Sequence, residues 1–303
     1  MIIREALAEG SAALAAAGID TPGLDAALLL ANVLNINRSS LIAASPRPLA
    51  GEAFAAYHDV LRRRMAGECT AYILGRKEFY GLNFRVNPSV LVPRPDTEIL
   101  VETAMGMMKE WGTENREQRP KAGRLAGRQP IRVIELCTGS GAVAVALKHT
   151  MPELEVIAAD ISAEALEVAQ ANAECLLPPD SIYFCRGDLY DALPMDRKYH
   201  SQVSVIISNP PYVPTAEIAG LSPEVRREPM LALDGGSGGL EIISRIISGA
   251  PDFLCSGGIL LLEADPRQMR HITVLLQQTG FADIQTHKDL SGKERVIGGR
   301  KGS

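Results

Sequence analysis

From Ile131 onward the chain repeats one pattern: a short apolar run, a turn, then a helical segment. "IRVIELC", "LEVIAAD", "SIYFCRGD", "VSVIISN" and "GGILLLEA" read as strands. "GAVAVALKHT", "AEALEVAQANAECL", "GLEIISRIISGAPDFL" and "PRQMRHITVLLQQTG" read as the helices between and after them. A parallel strand pair needs a crossover as long as a helix, so this alternation predicts an α/β, doubly wound, Rossmann-like sheet. The last two strands, "DIQTHKD" and "ERVIGGR", are separated only by Leu290–Lys293. A connection that short predicts a final antiparallel pair and therefore a mixed sheet.

Upstream the character differs. Residues 1–77 are rich in Ala and Leu at helical spacing and read as a small helical bundle with a recognition role. Thr21 precedes Pro22 as a helix start, and Arg62–Arg64 end an amphipathic helix where cations suit the dipole. Residues 78–92 alternate around Asn87-Pro88 and read as a β-hairpin connector. Residues 93–303 form the third part, with Asp96 as the cap of its first helix. The polar stretch 112–130 reads as a solvated connection.

Composition narrows the classes of function. The 303 residues carry a formal charge of -5, and 46% are hydrophobic, which is ordinary globular chemistry with length enough for a core. That mild acidity argues against a nucleic-acid partner. No apolar run reaches membrane-span length, and the start carries acids rather than a basic-then-apolar leader, so a cytoplasmic location and no membrane partner are expected. Five scattered cysteines without a C-x-x-C pair, and five dispersed histidines, indicate neither a disulfide framework nor a metal site.

Chemistry concentrates at the ends of the predicted strands, where open α/β sheets bind ligands. "ELCTGSGAVAVAL" places Cys137, Thr138, Gly139, Ser140 and Gly141 in a tight turn at a helix start. The stretch Gly139–Ala144 also fits a dinucleotide loop, so the turn alone leaves the adenosine cofactor open. Glu135, inside the strand before it, would repel a pyrophosphate and attract an ammonium. Asp160 ends the next strand, where ribose hydroxyls are held, and Asp188 with Leu189 offers an acceptor and an apolar wall for adenine. This set suits S-adenosylmethionine, whose sulfonium and ammonium are cationic. Asn209-Pro210-Pro211-Tyr212 follows the fourth strand. Two prolines fix a stiff exit, Asn209 and the Pro210 carbonyl can accept from an NH2 group, and Tyr212 offers a face to a planar substrate. The motif fits any planar amine: a nucleobase or a glutamine side chain.

"ELCTGSGAVAVAL" with "NPPYVP" resembles the amino-methylating S-adenosylmethionine-dependent methyltransferases. "AYILGRKEFYGLNF", "VLVPRPDTEILVE", "REPMLALDGGSGGL" and "DLSGKERVIGG" resemble the peptide chain release factor N5-glutamine methyltransferases, the HemK-like family, along nearly the whole chain. The resemblance implies a seven-stranded methyltransferase domain behind a helical domain. It implies S-adenosylmethionine as cofactor and the glutamine of the release-factor Gly-Gly-Gln motif as substrate. Cys137 to Gly141, Glu135, Asp160, Asp188, Leu189 and Asn209 would hold the cofactor; Asn209 to Tyr212, with Arg94 of "PRPDTE", would meet the substrate. Cys137 stands where the family often has glycine, Leu189 where it often has an aromatic residue, and "LLLEADPRQ" departs from "LLEIG". The rival readings are a glutamine methyltransferase acting on a ribosomal protein, a nucleic-acid amine methyltransferase and a non-catalytic module.

Overall fold

The computed structural model describes residues 1–117, 130–194 and 199–302. The chain forms two compact units. One comprises Met1–Lys77, Val86–Pro88 and Leu221–Arg227; the other comprises Glu78–Arg85, Ser89–Gly220 and Glu228–Ser303.

The first unit is helical: α1 (Ile3–Ala16), α2 (Pro22–Val33), α3 (Arg38–Ala44), α4 (Gly51–Met65) and α5 (Thr70–Leu74). Leu14, Leu29, Leu30, Leu41, Tyr57 and Leu61 fill its core. Gly10 lets Tyr57 approach α1, since a Cβ there would sit 2.2 Å from the hydroxyl. That hydroxyl donates to the Ala26 carbonyl at 3.2 Å. Arg64 lies in the last turn of α4, as expected, and does more there than complement the helix dipole. Its side chain is 4% exposed and pairs with Asp25 at 2.7 Å and Glu224 at 2.6 Å. Burial of a guanidinium is tolerated here because two carboxylates satisfy its fork.

The connector strands are β1 (Arg76–Phe79) and β2 (Leu82–Arg85). They turn at Tyr80 and Gly81, with φ of 52° and 74°, the left-handed pair that a two-residue hairpin favours. The hairpin is thus centred earlier than Asn87-Pro88, because proline cannot donate to a ladder. Asp96 does not cap a helix either. It lies in a 3-10 turn, Pro95–Thr97, and pairs with Arg295 at 3.3 Å. Helix α6 (Glu98–Glu117) then runs past Trp111, so the polar stretch begins as helix; residues 118–129 lie outside the described residues.

The second unit adds β3 (Arg132–Leu136), α7 (Ala142–Thr150), β4 (Glu155–Asp160), α8 (Ala163–Leu176), β5 (Ile182–Arg186), β6 (Val203–Ser208), α9 (Met230–Leu233), α10 (Glu241–Phe253), β7 (Leu254–Glu263), α11 (Met269–Gln278), β8 (Phe281–Lys288) and β9 (Glu294–Lys301). Seven strands form one sheet in the order β5-β4-β3-β6-β7-β9-β8. The first five pair in parallel, and β9 pairs antiparallel with β7 and β8. The mixed sheet expected from the short last connection is present. Alternate residues of each strand face opposite layers. Val205, Ile207 and Leu261 join the core with α6 and α7, while Ile206, Leu260 and Leu262 join the core with α10 and α11.

Order around β3 positions the site. β4 and β5 run to one side of it and β6 and β7 to the other, so the chain reverses direction between β3 and β6. Such a switch point opens a crevice at the strands' carboxyl ends. Leu136 pairs with Ser208, and Ser208 pairs with Leu262. Cys137, Asn209 and Glu263 therefore emerge side by side.

Candidate active site

A cavity opens at this switch point. Of the residues singled out in the sequence, Arg94, Glu135, Cys137, Thr138, Gly139, Ser140, Asp160, Asp188, Leu189, Asn209 and Pro211 line it; Gly141, Pro210 and Tyr212 do not. Thr97, Pro229, Leu231 and Arg245, which carried no role in the sequence reading, line it too.

The glycine loop is braced from within. Gly141 is the N-cap of α7 at φ 77° and has no side chain to satisfy the helix start. Glu135 supplies that function from the strand: its Oε2 accepts from the Ala144 N–H at 3.1 Å and from the Thr138 hydroxyl. Burial pushes the Glu135 carboxyl up to about 8, and the Asp160 charge adds to this against the two hydrogen bonds. Bracing the helix start is the task its hydrogen bonds show. Asp160 Oδ2 accepts from the Gly139 N–H at 2.8 Å, and its Oδ1 from the Ser162 N–H at 2.9 Å. Carboxylate oxygens retain further lone pairs, so this anchoring leaves Asp160 able to accept from a ribose. Asn172 donates to the Ser140 carbonyl at 2.9 Å. No atom lies within 4 Å of the point where a Gly139 Cβ would be, which leaves its backbone open to a ligand.

Two side chains sit where backbone geometry favours glycine: Cys137 at φ 59° and Leu189 at φ 50°. Asp188 receives the Arg245 guanidinium at 2.8 Å and stays about half exposed.

The Asn209–Tyr212 bend is braced from outside. Gly235 and Gly239 let another loop pass against it, since a Cβ on Gly235 would lie 2.8 Å from the Pro211 carbonyl oxygen and one on Gly239 2.1 Å from that of Tyr212. Gln268 Nε2 donates to the Tyr212 carbonyl at 2.9 Å and to that of Gly238 at 3.0 Å. The Tyr212 ring packs into the α10–α11 core and its hydroxyl donates to Glu263 Oε1 at 3.3 Å. The aromatic face expected to meet substrate is thereby used mainly in packing. Glu228, buried, accepts from the Val92 N–H at 3.1 Å and pairs with Arg94. The quoted stretches "PRPDTE" and "REPMLAL" contain Thr97 and Glu228, but no local pattern reveals their partners.

Asn209 decides the chemistry. Its Nδ2 donates to the Thr97 hydroxyl at 3.2 Å, while its Oδ1 is buried without a hydrogen-bond partner. A buried acceptor without a donor costs about 1–3 kcal/mol, which a bound N–H recovers. The donor set around the crevice, carboxylates and an amide with an open glycine backbone, fits a cationic adenosyl ligand better than a pyrophosphate. Among the described residues no cluster of His, Cys, Asp or Glu could hold a metal, and no single helix is long and apolar enough to cross a membrane.

Known proteins share this build. Residues 5–75 match the model of the PrmC N-terminal domain, and residues 124–221 match that of the methyltransferase small domain. A release factor glutamine methyltransferase of Bordetella pertussis is 38% identical over 92% of this chain and 94% of its own. Another, of Moorella thermoacetica, is 35% identical over 98% of both. The solved hMettl16 catalytic domain, in complex with MAT2A 3'UTR hairpin 6, superposes with a TM-score of 0.53 at 16% identity, covering 80% of this chain and 81% of that one, a likeness of fold alone. With curated relatives above 30% identity along nearly its whole length, and with the glycine loop and the asparagine acceptor side by side, the chain belongs to the release factor glutamine methyltransferase family.

Proposed function

We propose that this protein transfers a methyl group from S-adenosylmethionine to the side-chain amide nitrogen of the glutamine in the Gly-Gly-Gln motif of peptide chain release factors. The relatives' shared name supports the substrate. The observation that carries the chemistry is the unpartnered Asn209 Oδ1 beside the glycine loop. Release factors are the protein partners in this reading, and the cytoplasm, where they act, is its location.

S-adenosylmethionine supplies a methyl carbon made electrophilic by a cationic sulfur. The residues of the chain do the rest. The open Gly139 backbone and Asp160 hold the adenosyl moiety, Leu189 gives it an apolar wall, and Asp188 adds negative potential. Asn209 Oδ1 accepts one amide hydrogen of the glutamine and the Pro210 carbonyl the other. Both hydrogens held in one plane leave the nitrogen aimed along the normal to it; the carbon–nitrogen bond would form as the carbon–sulfur bond breaks, with one of the two hydrogens then released to solvent as a proton. An amide nitrogen is a poor nucleophile because its lone pair is delocalised. Orientation and exclusion of water therefore supply most of the acceleration. The rigid Pro210-Pro211 step keeps the acceptors from relaxing away, and Arg94, fixed by Glu228, lines the substrate side.

The test mixes the full-length protein with methyl-labelled S-adenosylmethionine and, separately, a release factor, ribosomal proteins and DNA. Label in the release factor that vanishes when the Gly-Gly-Gln glutamine is replaced supports the proposal. Label only in ribosomal protein or DNA overturns it.

A further inference from the structure

Asn172 lies in the interior of α8 and is 1% exposed. Asparagine is a weak helix former, and a buried amide is costly unless its groups are paired. Here they are paired three times. Asn172 Nδ2 donates to the Ser140 carbonyl at 2.9 Å and to the Arg85 carbonyl at 3.0 Å, and its Oδ1 accepts from the Arg85 N–H at 2.7 Å. The two bonds to Arg85 are those that a neighbouring strand would make to the end of β2. Turned over, the amide would set its oxygen against two carbonyls and its NH2 against an N–H, so one orientation is imposed.

Ser140 lies between Gly139 and Gly141, at φ 55° and 77°. A peptide next to glycine turns over cheaply, because glycine takes either sign of φ. The Ser140–Gly141 peptide is held against this at both of its polar groups. The Gly141 N–H donates to the Thr138 carbonyl at 2.9 Å, and the Ser140 carbonyl is held by Asn172. Helix α8 also packs under the loop, since a Cβ on Gly141 would lie 3.1 Å from that of Ala169, one turn before Asn172. On its other side Asn172 grips the last residue of β2. Shortly after β2 the chain reaches Ser89, Val90, Leu91 and Arg94, which line the cavity.

We propose that Asn172 is a positioning residue that ties the cofactor loop to the end of β2, so that one buried side chain sets both the Ser140–Gly141 peptide and the strand leading into the substrate wall. The inference rests on the methyl-transfer reading above and adds a route by which the hairpin reaches cofactor affinity. A change at Arg85 is felt at Gly139–Gly141, although Arg85 does not itself line the cavity.

The experiment measures cofactor affinity by calorimetry, and kcat and KM for the release factor, with the full-length protein. The variants are Asn172→Asp, Arg85→Pro, the two combined, and Arg85→Ala. Asn172→Asp keeps the shape but turns a carboxylate oxygen on two carbonyls, and is expected to weaken the cofactor about tenfold and to raise KM. Arg85→Pro removes the N–H that Asn172 accepts from, at the end of a short strand, and is expected to weaken the cofactor about threefold. Arg85→Ala keeps both backbone groups and stays within about twofold of wild type. At saturation with both ligands kcat stays within about threefold throughout, because binding rather than chemistry is disturbed. The double variant binds cofactor no more weakly than Asn172→Asp alone, since both act through the same bonds. Equal cofactor affinity in Arg85→Pro and Arg85→Ala overturns the inference. Additive losses in the double variant also overturn it, since they mark two unconnected effects. Where Asn172→Asp does not fold, the comparison of Arg85→Pro with Arg85→Ala decides. A wild-type protein that binds the cofactor yet leaves release factors unlabelled breaks the functional reading instead, and the inference then stands or falls on cofactor affinity.

Discussion

The glycine loop after β3 is held by its own neighbours, whereas the Asn209–Tyr212 bend after β6 is held from far along the chain. In the loop, Glu135 accepts from Thr138 and Ala144, and Asp160 from Gly139 and Ser162, with Asn172 of α8 bonding the Ser140 carbonyl as the longer reach. At the bend, the supports are Thr97, Gly235, Gly239, Glu263 and Gln268. The loop leaves its backbone open; the bend leaves one buried oxygen without a donor. The loop is built to hold a ligand already near its final charge distribution. The bend keeps a directional acceptor in place for a weak nucleophile, which demands tighter support.

That contrast can be broken at several points. Asn209→Ala should lower kcat by roughly 10³-fold while cofactor affinity stays within about threefold, as read by single turnover and calorimetry. Comparable losses in both would show that the two sides are not separable. Gly239→Ala should cost about 3 kcal/mol in denaturant unfolding, because its Cβ meets the Tyr212 carbonyl and its φ is 71°. Gly139→Ala, with open space at φ 55°, should cost only the left-handed penalty, about 1–2 kcal/mol. Equal costs would contradict the difference in support. Asp160→Asn keeps one acceptor oxygen where two backbone N–H groups now bond, and should weaken the cofactor about tenfold with kcat at saturation preserved.

Each side also leans on a strand carboxyl raised by burial, Glu135 to about 8 and Glu263 to about 7. The folded state binds these protons more tightly than the unfolded chain. Their contribution to stability is full at low pH, below the ordinary carboxylate range, and is lost as pH rises through the folded values. The urea midpoint should therefore fall between about pH 5.5 and pH 8.5, and less steeply in Glu135→Gln. A midpoint rising over that interval would contradict the assignment. The smallest effect expected is from Cys137→Gly: relief at φ 59° is offset by unfolded-state entropy, leaving a change within about 1 kcal/mol in thermal unfolding.

Strand–helix alternation, the mixed sheet and the crowding of Cys137–Gly141, Asp160 and Asn209 at one edge were all legible in the residues, because each follows from local periodicity and from where strands end. The hairpin centre and the Asp96 cap were misread. There, a left-handed Tyr80-Gly81 turn and an ion pair to Arg295 outweighed proline and capping signals.

What the order of residues determined by itself was chemistry of short range: a turn open to a ligand, an amide after a strand, a rigid proline step. What the NH2 end of that amide meets is decided only when the turn before α6 closes on the end of β6, bringing Thr97 to a residue 112 positions away. A hydrogen bond forms only between groups in contact, so tertiary packing supplies a partner that the local sequence leaves unchosen.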